Sequence, residues 1–258
     1  MKRIDSRTNP LYRSWKGLLT SAGIKKERSL IISGRKLVPE YLARDDMRLK
    51  CLLVSEPKDV ELLSFKKHLD VVWLKKDLFD ELDEAGTHYP LLIADAPSLL
   101  DADLAKPPSG LEVVLALSNP LNLGATLRSC EAFGVSNAIL LKECANPFLP
   151  KVLRSSSGSA LKVKLSLGPS ITELTSQDTK MMWALDMIGE NLTKVSLSSN
   201  LRLFVGEEGR GIPNNLQFFK KISIPISAEM DSLNALAAVS IVLYEYRARG
   251  QKLTLGRD

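Results

Sequence analysis

Three stretches in the second half of the 258-residue chain combine small residues with polar side chains that could do chemistry. They are Asn119-Pro-Leu-Asn-Leu-Gly-Ala-Thr-Leu-Arg128, Gly206-Glu-Glu-Gly-Arg-Gly211 and Ser232-Leu-Asn234. The first follows an apolar run and opens a helix, where outward-pointing backbone N–H groups favour an anion. Gly124 permits close approach of another backbone. Arg128 lies six residues after Asn122, under two helical turns away. A helix cap with a surface arginine would read the same way. In the second stretch, three glycines in six residues let a loop wrap tightly around a ligand, with Glu207 and Glu208 beside Arg210. Pro213 suits the first turn of a following helix. No Lys-Ser or Lys-Thr follows, so this is not a phosphate loop, and the glycine spacing is not the dinucleotide fingerprint. A simple strand-to-helix turn is the alternative. In the third, Asp231 or Ser232 is an ordinary N-cap type. Asn234 is less ordinary, because it enters the run Ala235-Leu-Ala-Ala-Val-Ser-Ile-Val-Leu243, apolar on nearly every side. Such a helix must be covered almost all round. It is too short to span a bilayer, so a core on one face and a second subunit on the other explain it better.

The elements that must position these stretches alternate between strand and helix. In the second half, Leu111–Leu117 reads as a buried parallel strand. Asn122–Phe133 reads as a helix stopped by Gly134. Asn137–Leu141, Met181–Leu185, Leu201–Val205 and Lys221–Pro225 read as strands, and Ser232–Arg249 as a long closing helix. The first half reads as a smaller layer of the same kind. Its helices are Tyr12–Ala22, Pro39–Arg44, Glu56–His68 and Lys76–Asp83. Its strands are Ser29–Ser33, Lys50–Ser55, Val71–Leu74 and Leu91–Asp95. Between the halves, Asp101-Ala-Asp-Leu-Ala-Lys-Pro-Pro-Ser-Gly110 continues neither helix nor strand. Two domains are therefore expected, 1–105 and 106–258. The sequence shows no internal repeat and no low-complexity tract.

Composition sets limits on function. Apolar residues are 45% and charged residues 25% of the chain, as in an ordinary globular protein. The net charge is +5, but it is unevenly spread. Residues 1–50 hold thirteen basic and five acidic side chains, an excess of +8, leaving −3 for the remainder. The basic first fifth of the chain favours an anionic partner such as nucleic acid. Three cysteines without a CxxC pair argue against both a disulfide framework and a zinc site. Two histidines leave little room for a His-based metal site or triad. The N-terminus has no apolar core after its basic residues, as a secretory signal would, and no stretch reaches the roughly 20 apolar residues of a membrane span. A cytoplasmic protein without metal or membrane is expected.

Taken together and in this order, the three stretches resemble the motifs of the SpoU/TrmH-type (SPOUT) RNA ribose methyltransferases. The resemblance covers about residues 110–250 and includes Arg154-Ser-Ser-Ser-Gly-Ser-Ala160, similar to the family's small-residue segment between its first two motifs. It implies an α/β fold whose C-terminal methyltransferase domain has a parallel sheet and a deep trefoil knot, a feature otherwise very rare. It implies S-adenosylmethionine as cofactor, a homodimer, and methyl transfer to a ribose 2′-hydroxyl in RNA. By resemblance, backbone groups around Gly206, Ile224 and Leu233 hold the adenosyl part. Glu208 matches the acid of motif two, with Glu207 its neighbour. Ser232 and Asn234 match the motif-three pair and complete the cofactor-binding set. Asn122 matches the asparagine of motif one, and Arg128 the arginine given the central catalytic role, in a site completed by the partner subunit. After Asn234 the chain departs from the family pattern, with Ala235-Leu236 in place of a more common Val-Ser pair. The first domain resembles the small ribosomal-protein-like RNA-binding domain of many relatives, through Tyr12-Arg-Ser-Trp-Lys16 and Ser33-Gly-Arg-Lys-Leu37. That layout points to ribosomal RNA ahead of transfer RNA.

The chemistry of such a transfer fits these residue types. An oxygen nucleophile must be held in line with the methyl group, so positioning is a large contribution. The hydroxyl must also lose its proton or have its charge stabilised. Arginine, with a pKa above about 12, is a poor base. We therefore read Arg128 as a clamp on the adjacent RNA phosphate that also lowers the hydroxyl's pKa, although in the family it is more often described as a base. A non-catalytic RNA-binding protein on this fold would keep the basic first domain and lose Asn122, Arg128, Glu208, Ser232 and Asn234. All five are present.

Overall fold

A computed structural model describes residues 1–63, 69–206, 212–213, 216–227, 229–230 and 232–250. The chain divides into two compact units. The first comprises Met1–Ser98 together with Asn146–Leu161, the second Leu99–Ala145 together with Lys162–Asp258.

The first unit holds β1 (Lys2–Ile4), α1 (Pro10–Gly17), α2 (Ser21–Glu27), β2 (Ser29–Ile32), α3 (Leu37–Leu42), β3 (Leu49–Val54), β4 (Asp70–Leu74), α4 (Lys76–Leu82) and β5 (Leu91–Asp95). Its sheet has the order β1-β4-β3-β5-β2, with β1, β4 and β3 parallel and β5 antiparallel to both β3 and β2. Two expected helices differ. Tyr12–Ala22 is broken into α1 and α2, because Thr20 caps the second by accepting from Gly23 N. The two pieces cross on a glycine pair: a Cβ at Gly23 would lie 2.0 Å from Gly17 O. The segment opened by Glu56 is a 3-10 helix over Pro57–Leu62, with Leu63 already extended; residues 64–68 of that expected helix lie outside the described residues.

The second unit begins with β6 (Leu100–Asp101) and β7 (Leu111–Leu115), then α5 (Pro120–Ala132) and β8 (Asn137–Leu140). The next helix, α6 (Pro150–Ser155), belongs to the first unit, where it packs on β2. The chain returns to the second unit for β9 (Leu165–Leu167), α7 (Ser176–Thr179), β10 (Met182–Asn191), β11 (Leu201–Val205), β12 (Lys220–Ser223) and α8 (Ala235–Gly250). All seven strands are parallel, in the order β12-β10-β11-β7-β8-β9-β6. The central β7 and β11 are buried along their whole length, as the continuous apolar runs require. The chain has joined this sheet before it reaches Pro107 and Pro108, because β6 pairs with β9. Pro213 lies in no helix; Leu216 N donates to its carbonyl at 3.2 Å.

An ion pair is buried between the two central strands. Arg202 on β11 and Glu112 on β7 are register partners. Arg202 Nε donates to Glu112 Oε2 at 2.7 Å, with side-chain exposures of 3% and 10%. The remaining guanidinium donors reach Leu104 O at 2.9 Å and Lys106 O at 3.0 Å, and Glu112 Oε1 accepts from Ser109 N at 3.1 Å. The polar connection between β6 and β7 is thus clamped to the sheet by one arginine and one glutamate, whose charges are fully hydrogen-bonded.

Candidate active site

The described motif residues follow the carboxyl ends of β7, β11 and β12. There, β7 ends and Asn119 caps α5, its side chain accepting from Leu121 N at 2.8 Å and Asn122 N at 3.3 Å. Pro120 occupies the first turn, where its missing N–H costs no helical hydrogen bond. Gly206 follows β11 and is half-buried, and Ile224, also half-buried, follows β12. Ser232, Leu233 and Asn234 precede α8 and are exposed. The helix starts at Ala235 rather than Ser232, and the Asn234 side chain accepts from Leu236 N at 3.0 Å. Ligands of open α/β sheets bind in the crevice outside the carboxyl ends of the strands.

The helix that carries motif one and the helix that follows motif three pack together, α8 on α5. Ser129 Oγ and Ser240 Oγ lie 2.9 Å apart, and the rings of Phe133 and Tyr244 meet edge to face at 6.4 Å. Both pairs are offset by 111 residues, so the helices run side by side in the same direction. That register sets Asn234 level with Asn122 and Leu123 at the start of α5. At the other end, Arg247 Nε donates to Phe133 O at 2.5 Å, placing a cation on the C-terminal carbonyls of α5. Gly134 sits there at φ +65°, and a Cβ would collide with the Arg247 guanidinium. Arg249 Nη1 donates to Leu192 O and Val195 O, both at 3.0 Å, and Tyr246 OH to Ser199 O at 2.5 Å, so α8 is also tied to the β10–β11 connection.

Arg128 is exposed on α5, and the six residues from Asn122 correspond to about 9 Å along a helix axis. Elsewhere on that helix, Leu123, Gly124, Thr126, Leu127 and Cys130 are buried. Thr126 Oγ1 is buried and has no hydrogen-bond partner among the described residues. Glu207, Glu208, Gly209, Arg210 and Gly211 lie outside the described residues, and with them the expected motif-two acid. The cysteines are poorly placed for nucleophilic chemistry. Burial pushes the thiols of Cys51, Cys130 and Cys144 up to about 12, where they stay protonated. Cys144 serves structure instead, donating to Leu115 O and accepting from Leu117 N at the end of β7.

Sequence reasoning missed the Arg202–Glu112 pair, Ser240 and Arg247. One signal was available: each central strand carries a single charged residue, at its second position, in Leu111-Glu-Val-Val-Leu115 and Leu201-Arg-Leu-Phe-Val205.

The second unit is an α/β layer built on an all-parallel sheet. The model of the SpoU rRNA methylase family matches residues 111–244, and the chain belongs to that family. A Syntrophobacter fumaroxidans protein named ribosomal RNA small subunit methyltransferase G 2 is 35% identical over 255 residues. That match takes in 97% of this chain, which spans 50% of the relative's length. The Bacillus subtilis 23S rRNA (guanosine(2553)-2′-O)-methyltransferase RlmP is 28% identical over 96% of this chain and 100% of its own. Among solved structures, an AdoMet-bound rRNA methyltransferase from Sinorhizobium meliloti superposes with a TM-score of 0.77 at 22% identity, covering 97% of this chain and 99% of the other. AviRb of Streptomyces viridochromogenes, in complex with AdoMet, gives 0.77 at 22% identity over 93% and 97%.

The carboxyl edge suits S-adenosylmethionine on its own chemistry. A purine ring needs apolar cover, and Ile226, after β12, and Leu233, before α8, remain 37% and 36% exposed. Gly206 leaves backbone groups approachable for the ring and ribose.

Proposed function

We propose that this chain is an S-adenosylmethionine-dependent RNA 2′-O-methyltransferase acting on ribosomal RNA. The observation that carries the reading is the parallel pairing of α5 and α8, which aligns Asn122 with Asn234 at the carboxyl edge of the sheet and leaves Arg128 exposed on the same helix. The family membership and the 23S rRNA 2′-O-methyltransferase of Bacillus subtilis support the same reaction and substrate.

In this reading Gly206, Ile224, Leu233 and the Ser232–Asn234 turn hold the adenosyl part, with Glu208 beside them. When bound, the cofactor supplies an electrophilic methyl group. Arg128 pairs with the phosphate next to the target ribose, which fixes the 2′-oxygen and stabilises the charge it develops. Asn122 and Asn234 order the turns from which that contact is made. The family also carries a trefoil knot in this domain, and the order of β11 at the sheet centre, β12 at its edge and α8 back on α5 is compatible with one. A homodimer would cover the apolar residues left open on these helices, Leu121 at 52% exposure, Ile241 at 37% and Tyr244 at 57%. The basic first unit would bind RNA. Three buried or half-buried thiols suit a reducing cytoplasm.

Labelled methyl transfer from S-adenosylmethionine to unmodified ribosomal RNA and to transfer RNA, in separate reactions, tests the proposal. Label in ribosomal RNA that survives alkali as a dinucleotide is expected. Label confined to transfer RNA would change the substrate. Absence of cofactor binding would leave a non-catalytic RNA-binding protein.

A further inference from the structure

One strand of the second unit leaves its ladder and comes back. Strand β10 lies between β12 and β11, and all three run parallel. Its Leu185 is level with Val205 on β11 and with Ile222 on β12. On the β12 side Glu190 is level with Ile222 as well, so residues 186–189 stand out of the ladder as a bulge, a device that re-aims side chains. The bulge therefore rises between the residues that follow β11 and β12, Gly206 and Ile224. Its base is fastened. Lys221 Nζ donates to Asp186 Oδ2 at 2.7 Å, Lys220 Nζ to Glu190 Oε2 at 2.9 Å, and Ser223 Oγ to Gly189 O at 2.9 Å. Gly189 presses on β12 so closely that a Cβ would lie 2.7 Å from the carbonyl carbons of Lys221 and Ile222.

At the tip stand Met187 and Ile188, 66% and 84% exposed. A fixed apolar tip of this kind suits an occupant of its own size. Two side chains cannot supply the roughly 800 Å² per partner of a stable protein interface. They do match one face of a nucleobase, which is flat and apolar. The purine of the cofactor has its own floor in Ile224, Ile226 and Leu233, all far less open than the tip. RNA is read chiefly at unpaired bases, whose faces stack on side chains, and Met and Ile are among the residues that wedge between base steps. The methyl-accepting ribose must come to this same edge, held in line with the methyl group. A base beside that ribose is then the flat apolar group that arrives at the tip.

We infer that Met187 and Ile188 form an apolar wedge that packs against an unpaired nucleobase beside the target ribose, and so select a single-stranded target. The inference rests on the RNA-methyltransferase reading and adds to it a pair of residues that touch the substrate base. The braced base of the bulge serves this role, because a tip already fixed loses little entropy on binding.

The test compares the wild-type chain with M187S/I188S and I188W, using in vitro-transcribed 23S ribosomal RNA as the probe. L100S is the control, since Leu100 is 78% exposed on β6, the edge strand farthest from β12. The serine variant should raise KM for RNA about tenfold, toward the lower end of the cost of losing one base-stacking side chain. Its kcat, S-adenosylmethionine affinity and mass in solution should not change. I188W should keep KM at or below the wild-type value, and the emission of its added indole should be quenched when RNA binds. L100S should match wild type. An unchanged KM in the serine variant, with wild type still transferring methyl, would overturn the wedge and leave the enzyme reading intact. So would a loss of cofactor affinity in that variant, which would make the tip a cover for the adenosyl group, or a changed mass, which would make it a subunit contact. A wild-type chain that binds cofactor yet neither binds nor methylates RNA would overturn both.

Discussion

Arg128 is exposed, on the helix that Asn119 caps, while its neighbours Leu127 and Cys130 are buried. A side chain with that placement can be removed without opening the core, so its loss should be read in chemistry. Arg128→Ala is expected to reduce methyl transfer by at least about a hundredfold, the scale of removing one preorganised charge-stabilising donor. S-adenosylmethionine affinity, measured by calorimetry, should stay within about twofold. Transfer at the wild-type rate would remove Arg128 from the mechanism. Arg128→Lys separates clamp from point charge, because lysine cannot reproduce a bidentate phosphate contact.

At the scale of elements, the Arg202–Glu112 pair decides how the β6–β7 connection lies on the sheet. Each partner is buried, so removing either strands the other's charge in the interior. Glu112→Ala is expected to destabilise the protein by about 3–5 kcal/mol, seen as a lowered midpoint in chemical denaturation. The double change Glu112→Leu with Arg202→Met removes both charges and should recover most of that loss. A double variant as unstable as the single one would show that the carbonyls of Leu104 and Lys106, left without their donor, carry the penalty instead.

Across the whole molecule, pH and association are the informative variables. Glu81 of the first unit accepts from Tyr12 OH at 2.7 Å and from Arg7, and meets Lys16 at 3.2 Å. The Tyr12 hydrogen bond, then those of Arg7 and Lys16, hold its carboxyl down to about 2, from an ordinary 4.5. A depressed carboxylate stabilises the fold above its unfolded value and ceases to as pH falls toward the folded one. Stability should therefore hold from pH 7 to about 5 and decline between about 4.5 and 2. Glu81→Gln should be less stable at pH 7 and flatter across that window, and parallel denaturation curves for the two proteins at each pH would refute the assignment. Light scattering of the intact chain at working concentration should give twice the 28.5 kDa subunit mass. Ile241→Glu, on the exposed face of α8, should shift it toward the monomer; a wild-type monomer would remove the partner subunit from the site.

The sequence by itself determined the alternation of strand and helix, the buried parallel strands and the order of the three motifs, because each depends on local pattern. Continuous apolar runs mark β7 and β11, and Asn119-Pro120 with Gly134 bounds α5. The break between α1 and α2 was less legible, since it depends on Gly17 and Gly23 meeting across a turn. Placement of the motifs was a tertiary matter. Asn122 and Asn234 are brought level only by the parallel packing of two helices more than a hundred residues apart, held by Ser129, Ser240, Phe133 and Tyr244. The assignment of α6 to the first unit was equally invisible: nothing local distinguishes Pro150–Ser155 from a helix that covers the second sheet. Which partner a short apolar face chooses depends on shape and closure of the whole chain, and those are properties no window of sequence contains.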